Sequence, residues 1–129
     1  GPLRVLSELV KFLPRNECSR ILVLSARVGS IADNRLGGWV SYRVSKAALN
    51  QGVKTIAVEL QRTHPHCIVT LYHPGTVDTP LSTPFQKRVP DKQLFSANHA
   101  ARCLSKVLHA PERPRSHLFM DWANQEVAY

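Results

Sequence analysis

Acidic residues are scarce in this chain. Nine Asp and Glu stand against seventeen Lys and Arg in 129 residues, a formal charge of +8. Such a balance admits nucleic acid, membranes or phosphates as partners. The bases are scattered, however, and no stacking aromatics lie between them, so no nucleic-acid surface is expected. The nearest approaches to clusters are Lys87 and Arg88 with Lys92, and Arg113 with Arg115. Paired cysteine is also missing. Cys18, Cys67 and Cys103 are odd in number and far apart. That argues against a disulfide framework or a zinc knuckle, and suits a reducing, cytoplasmic setting. No two of the six histidines have the spacing of a helical zinc site, so no metal is expected. Long apolar runs are absent, as is the order of basic head, apolar centre and small-residue cleavage site over 1–14, so neither membrane span nor signal peptide is expected.

What is present is the content of one globular domain, 43% hydrophobic. Leu3, Leu6, Leu9, Val10 and Leu13 recur at helical spacing and predict a helix over 3–13, stopped by Pro14. The run 21–24 is short and wholly apolar, as in a strand covered on both faces. A loop over 25–39 leads to a second helix over 40–62, broken at His64-Pro65. A second strand covers 67–72 and a Pro-rich loop runs to about Pro90. A third helix, capped by Ser96 or Asn98, is expected to stop within 111–114. A third strand covers 118–120, and the tail from Asp121 has no clear assignment. Alternating helices and strands predict an α/β fold, with a parallel sheet and right-handed crossovers. In such sheets ligands bind beyond the carboxyl ends of the strands. The loops after Leu24 and Tyr72 leave from that edge, and the second helix begins there.

Tyr42 and Lys46 stand four apart near the start of that helix, hence on one face. A free phenol has a pKa of about 10 and exchanges protons poorly near neutrality. A lysine cation beside it favours the phenolate and lowers that value. A phenol so tuned can pass a proton to or from an alcohol or carbonyl oxygen.

Residues 21–79 resemble the short-chain dehydrogenase/reductase superfamily. The run Leu24-Ser25-Ala26-Arg27-Val28-Gly29-Ser30-Ile31-Ala32-Asp33-Asn34, then Gly37-Gly38-Trp39, is similar to the C-factor and sniffer-like carbonyl reductase branch. His73-Pro74-Gly75-Thr76-Val77-Asp78-Thr79 adds to that likeness, which extends over nearly the whole chain from Gly1-Pro2-Leu3. The resemblance implies a Rossmann-like fold in which residues 1–129 form the carboxyl-terminal portion of a single domain, with about three strands. It implies an NAD(P)-dependent reduction of a carbonyl. Tyr42 would be the general acid/base, and Lys46 would lower its pKa and hold the nicotinamide ribose. Pro74, Gly75, Val77 and Thr79 would contact the nicotinamide. The family's serine position is Ala26 here. Its neighbour Ser25 takes the catalytic role only if the strand has already turned into loop, since strand neighbours face opposite ways; Ser30 is a second candidate. The loop 81–94, with Phe85 and Phe95 at its ends, would cover the substrate.

The glycine-rich turn that holds a dinucleotide's pyrophosphate is not among these residues, so NADP and NAD are not distinguished. The resemblance implies as partners a small-molecule carbonyl or alcohol and copies of the same protein, as a homodimer or homotetramer through helices like the first two here. The alternative reading is a non-catalytic fragment that serves as an interaction or dimerisation module, since a half sheet has edges to pair.

Overall fold

The computed structural model describes residues 1–110 and 117–129, apart from the side chains of Arg88 and Asp91. The helix stop expected within 111–114, and the pair Arg113 and Arg115, lie outside the described residues.

Three strands form a parallel sheet in the order β1-β2-β5: β1 (Ser19–Leu24), β2 (Cys67–His73) and β5 (Leu118–Asp121). Ile21 lies opposite Val69, and Leu71 opposite Phe119. Alternate residues of β2 point to opposite faces, and both are apolar because both are covered. On one face Cys67, Val69 and Leu71 pack with Ile21 and Phe119 against α1 (Pro2–Leu9) and α2 (Val40–Thr63). The helices supply Leu6, Leu49, Val53, Ala57 and Leu60. On the other face Tyr72 and Met120 meet Val107 and Leu104 of α3 (Ala97–His109). Ser96 caps α3, its Oγ accepting from the His99 N–H at 3.2 Å.

Several boundaries differ from those the sequence predicts. The α-helical part of the first helix ends at Leu9 and tightens into a 3-10 turn, Val10–Phe12. Leu13 is extended (φ −75°, ψ 137°), because Pro14 bars the residue before it from the helical region. Inside the expected Pro-rich loop, β3 (Thr76–Val77) pairs in parallel with β4 (Leu94–Phe95). A two-residue strand is too short to show any periodicity. The tail also has a place: the Val127 N–H donates to Phe119 O at 2.7 Å and the Asp121 N–H to Gln125 O at 2.9 Å, lining the outer edge of β5. Among the described residues β1 has a strand partner on one side only.

Candidate active site

The carboxyl ends of β1 and β2, the start of α2 and the loop after β3 meet at one rim. Tyr42, Lys46, Asn50 and Val53 succeed one another along the face of α2 that turns into the core at Asn50 and Val53. The Lys46 Nζ stands 5.9 Å from the centroid of the Tyr42 ring. Lys46 makes no ion pair among the described residues, and the Tyr42 hydroxyl makes no hydrogen bond among them. A cation and a phenol that the fold does not use are thus presented together.

The expected lowering of the phenol by that cation is not what the environment produces. Burial pushes the Tyr42 phenol up from 10.0. The ammonium sits at the outer limit of a cation–π contact, on a half-exposed rim where water screens it.

Ser25 is buried and still in strand register. Its N–H donates to Tyr72 O at 2.8 Å, and Ala26 remains extended (φ −147°, ψ 145°). In phase with Ile21 and Val23, the Ser25 side chain points at α2, where Oγ donates to Asn50 Oδ1 at 2.5 Å. Asn50 lies eight residues past Tyr42, about 12 Å along the helix at 1.5 Å per residue. The structure therefore does not bring this hydroxyl to Tyr42; it ties the end of β1 to the turn below Lys46. Ser30 is buried too, and its Oγ accepts from the Asp33 N–H at 3.0 Å. The 3-10 turn Arg27–Gly29 lies so close to α2 that a Cβ on Gly29 would stand 2.8 Å from Lys46 Cβ and 2.9 Å from Asn50 Nδ2.

After β2 the chain turns at Pro74-Gly75. Gly75 has φ +77°, and a Cβ there would lie 2.6 Å from the Phe95 ring. Phe95 is buried against Trp122 and His99, so it braces this turn and is not part of a substrate cover. Val77 O accepts from Ser82 Oγ at 2.5 Å, and Thr79 O from the Ser82 N–H at 3.0 Å. Val77 and Thr79 thus sit in a turn bonded to itself. From that turn Phe85 reaches back to α2 and stacks on Tyr42, ring centroids 6.4 Å apart and planes within 12°.

Sequence reasoning missed Asn50, Arg43, Trp39 and this role of Phe85. Gly37, Gly38 and Trp39 all have positive φ (64°, 72° and 48°). The tandem glycines were the available signal. Left-handed backbone costs a residue such as Trp about 1–2 kcal/mol. The Arg43 guanidinium stabilises the arrangement, with Nε donating to Gly38 O at 2.9 Å and Nη2 to Gly37 O at 3.0 Å.

Two surface concavities lie elsewhere, one between α1 and α2 beside Val10 and Ile56, the other beside Val28, Ile31 and Val44. Neither is lined by Tyr42 or Lys46. The candidate site is an open rim. Among the described residues no helix is long and apolar enough to cross a membrane.

No protein-family model matches the chain. Over 130 residues it is 35% identical to C-signal of Myxococcus xanthus, covering 100% of this chain and 72% of that protein. A short-chain dehydrogenase/reductase from Burkholderia multivorans with bound NADP superposes with a TM-score of 0.79 at 31% identity, over 99% of this chain and 51% of the other. An NADPH-bound carbonyl reductase from chicken fatty liver gives 0.78 at 25% identity, over 98% and 52%. The chain thus spans about half the length of these solved structures. With its parallel sheet and its tyrosine–lysine pair at the carboxyl edge, the chain belongs to the short-chain dehydrogenase/reductase superfamily, alongside C-signal and the carbonyl reductases.

Proposed function

We propose that these residues form the carboxyl-terminal, substrate-side portion of a single-domain NAD(P)-dependent reductase that acts on a small carbonyl compound. The observation that carries the reading is the pair Tyr42 and Lys46, adjacent on α2 and free of other polar partners among the described residues. Tyr42 would donate the proton to the substrate oxygen as it gains charge. Lys46 would hold ribose hydroxyls and favour the phenolate once the rim is closed off from water, where its charge acts more strongly. The turn through Pro74, Gly75, Val77 and Thr79 would receive the nicotinamide. Its one left-handed residue is the glycine that lets the backbone pass close to a flat ring. The bound cofactor would supply the hydride.

These residues suit the nicotinamide end of the cofactor, and the pyrophosphate end has no glycine-rich turn among them. The structural neighbours with NADPH and NADP favour NADP over NAD. Three unpaired thiols accord with a cytoplasmic setting.

The test is Tyr42→Phe in the complete encoded polypeptide. Carbonyl reduction should fall about 10²–10⁴-fold, the usual worth of a positioned acid, with the unfolding midpoint unchanged. Unchanged turnover would remove Tyr42 from the mechanism.

A second reading, an interaction or dimerisation module, is favoured by the exposed Val5, Leu9 and Phe12 of the first helical segment and Val44 and Val58 of α2. Apolar surface of this kind marks association sites. Sedimentation of the complete polypeptide should give a dimer or tetramer, and charged substitutions at Phe12 and Val58 should dissociate it. A monomer at micromolar concentration would exclude this reading.

A further inference from the structure

We propose that Trp39 and Phe85 form the substrate wall at the Tyr42 rim, and that this wall selects carbonyls attached to a flat, apolar ring system over those with short aliphatic arms. The inference rests on the reading of Tyr42 as proton donor and adds the chemical class of its substrate.

Aromatic residues are few in this chain, nine of 129. Tyr72, Phe95 and Phe119 are buried in the fold. Trp39, Tyr42 and Phe85 are instead 55%, 42% and 43% exposed, yet Phe85 is in ring contact with both of the others. Phe85 stacks on Tyr42, and Trp39 meets Phe85 edge-on at 5.8 Å between centroids, with planes at 84°. Three rings joined through Phe85 while still half open to water are not there to fill a core.

Their placement also takes deliberate backbone geometry. Three consecutive residues with positive φ, the last of them a tryptophan, lead into α2. Strain of this kind persists only where the surroundings enforce it, and it gathers at functional sites. Here Arg43 enforces it through the carbonyls of Gly37 and Gly38. On the opposite side Phe85 rides on a 3-10 turn (Thr83–Arg88) tied down by Gln86, whose Nε2 donates to Asp78 Oδ1 at 3.0 Å and to Ser82 Oγ at 2.8 Å. Two separately braced segments thus present perpendicular aromatic surfaces beside one phenol. A flat ring laid against them gains a stacked or edge-to-face contact and loses apolar area to water. Its carbonyl oxygen is then held beside Tyr42. A short aliphatic ketone gains little from either surface.

The experiment compares NADPH-dependent reduction of 2-acetylnaphthalene and 2-butanone by the complete encoded polypeptide. The wild type should favour the naphthyl ketone in kcat/KM. Phe85→Ala and Trp39→Gly should each lower that ratio about tenfold, the scale of one aromatic contact with its buried area. Trp39→Gly relieves the left-handed strain, and an unchanged urea midpoint separates its loss of selectivity from unfolding. A second readout needs no turnover. In a background where Trp122 and every tryptophan outside these residues are replaced by Phe, 2-acetylnaphthalene should quench the Trp39 fluorescence saturably, and Phe85→Ala should abolish the saturation. Reduction that persists with the same ratio in all three proteins overturns the aromatic wall and leaves the Tyr42 reading standing. No reduction of either ketone by the wild type overturns the Tyr42 reading, and the wall is then decided by the quenching, whose failure to saturate overturns it.

Discussion

The Ser25 hydroxyl donates to Asn50 Oδ1 at 2.5 Å, and both side chains are buried. The bond fastens the carboxyl end of β1 to the turn of α2 just below Lys46, so it sets the height of the tyrosine–lysine pair above the sheet. Asn50 Nδ2 is already without a partner among the described residues. Ser25→Ala would leave Oδ1 unpaired as well.

Ser25→Ala therefore separates two roles. A buried group stripped of its partner costs about 1–3 kcal/mol, so the urea midpoint should fall while catalysis drops only modestly. Loss of a donor to the reacting oxygen would instead lower kcat about 10²–10³-fold at unchanged stability. The second pattern would return Ser25 to the substrate and refute the tie to Asn50.

Gly75→Ala should destabilise the fold through two separate effects. The residue holds φ +77°, and an added Cβ would meet the buried Phe95 ring at 2.6 Å. Left-handed strain of about 1–2 kcal/mol adds to overpacking of about 1–3 kcal/mol. Equilibrium unfolding in urea measures the sum. A variant within about 0.5 kcal/mol of wild type, the range of ordinary surface changes, would show that the turn relaxes freely.

The three-strand sheet and its three helices were legible because each long element has a period. The apolar runs 21–24 and 67–72 and the three-four rhythm of 3–13 are local signals that burial enforces. What stayed hidden was set by tertiary contact. Thr76–Val77 became a strand only because Leu94–Phe95 lies beside it. Phe95 read as part of a surface cover and proved to be packing for Gly75. The spacing of Tyr42 and Lys46 predicted their adjacency, since four residues on a helix guarantee it. It did not predict the direction of the phenol's shift, which depends on burial at the rim. Nor does spacing tell where the Ser25 hydroxyl points. That follows from how many residues β1 keeps its strand phase before turning.

Stability should decline on mild acidification, and His73 supplies part of the slope. Burial first, and then the Arg27 guanidinium, hold its imidazole down to about 4 from 6.5, with Asp121 pulling the other way. Between those two values the unfolded chain binds a proton that the folded chain refuses. The contribution is intact above the unfolded value and is lost as the pH falls from 6.5 towards 4. At 1.36 kcal/mol per unit the full interval gives an upper limit of about 3 kcal/mol. Urea midpoints at pH 7.5 and 4.5 measure it, with His73→Gln as comparison. The variant should lose less stability over that interval, and equal slopes would show that His73 titrates normally.

A polypeptide of these 129 residues alone should not bind NADPH in the micromolar range. A Kd of 1 μM requires about 8 kcal/mol, and a dinucleotide gains much of its binding from backbone N–H groups that cradle the pyrophosphate. Of the longer helices, α3 has its amino end closed by Ser96, and α2, whose N–H groups have no side-chain cap, has no glycine-rich turn of the G-x-G-x-x-G kind before it to wrap a pyrophosphate. Lys46 and the turn at Pro74-Gly75 offer the nicotinamide end a cation and a surface, on an open rim. The charge of +8 attracts phosphates without shaping a site for them, and that attraction fades with salt. Titrating nicotinamide fluorescence at low and high salt distinguishes the cases. A weak, salt-sensitive rise without saturation is expected. Saturable binding at micromolar NADPH that survives high salt would mean that these residues hold the phosphates by a means other than a glycine-rich turn.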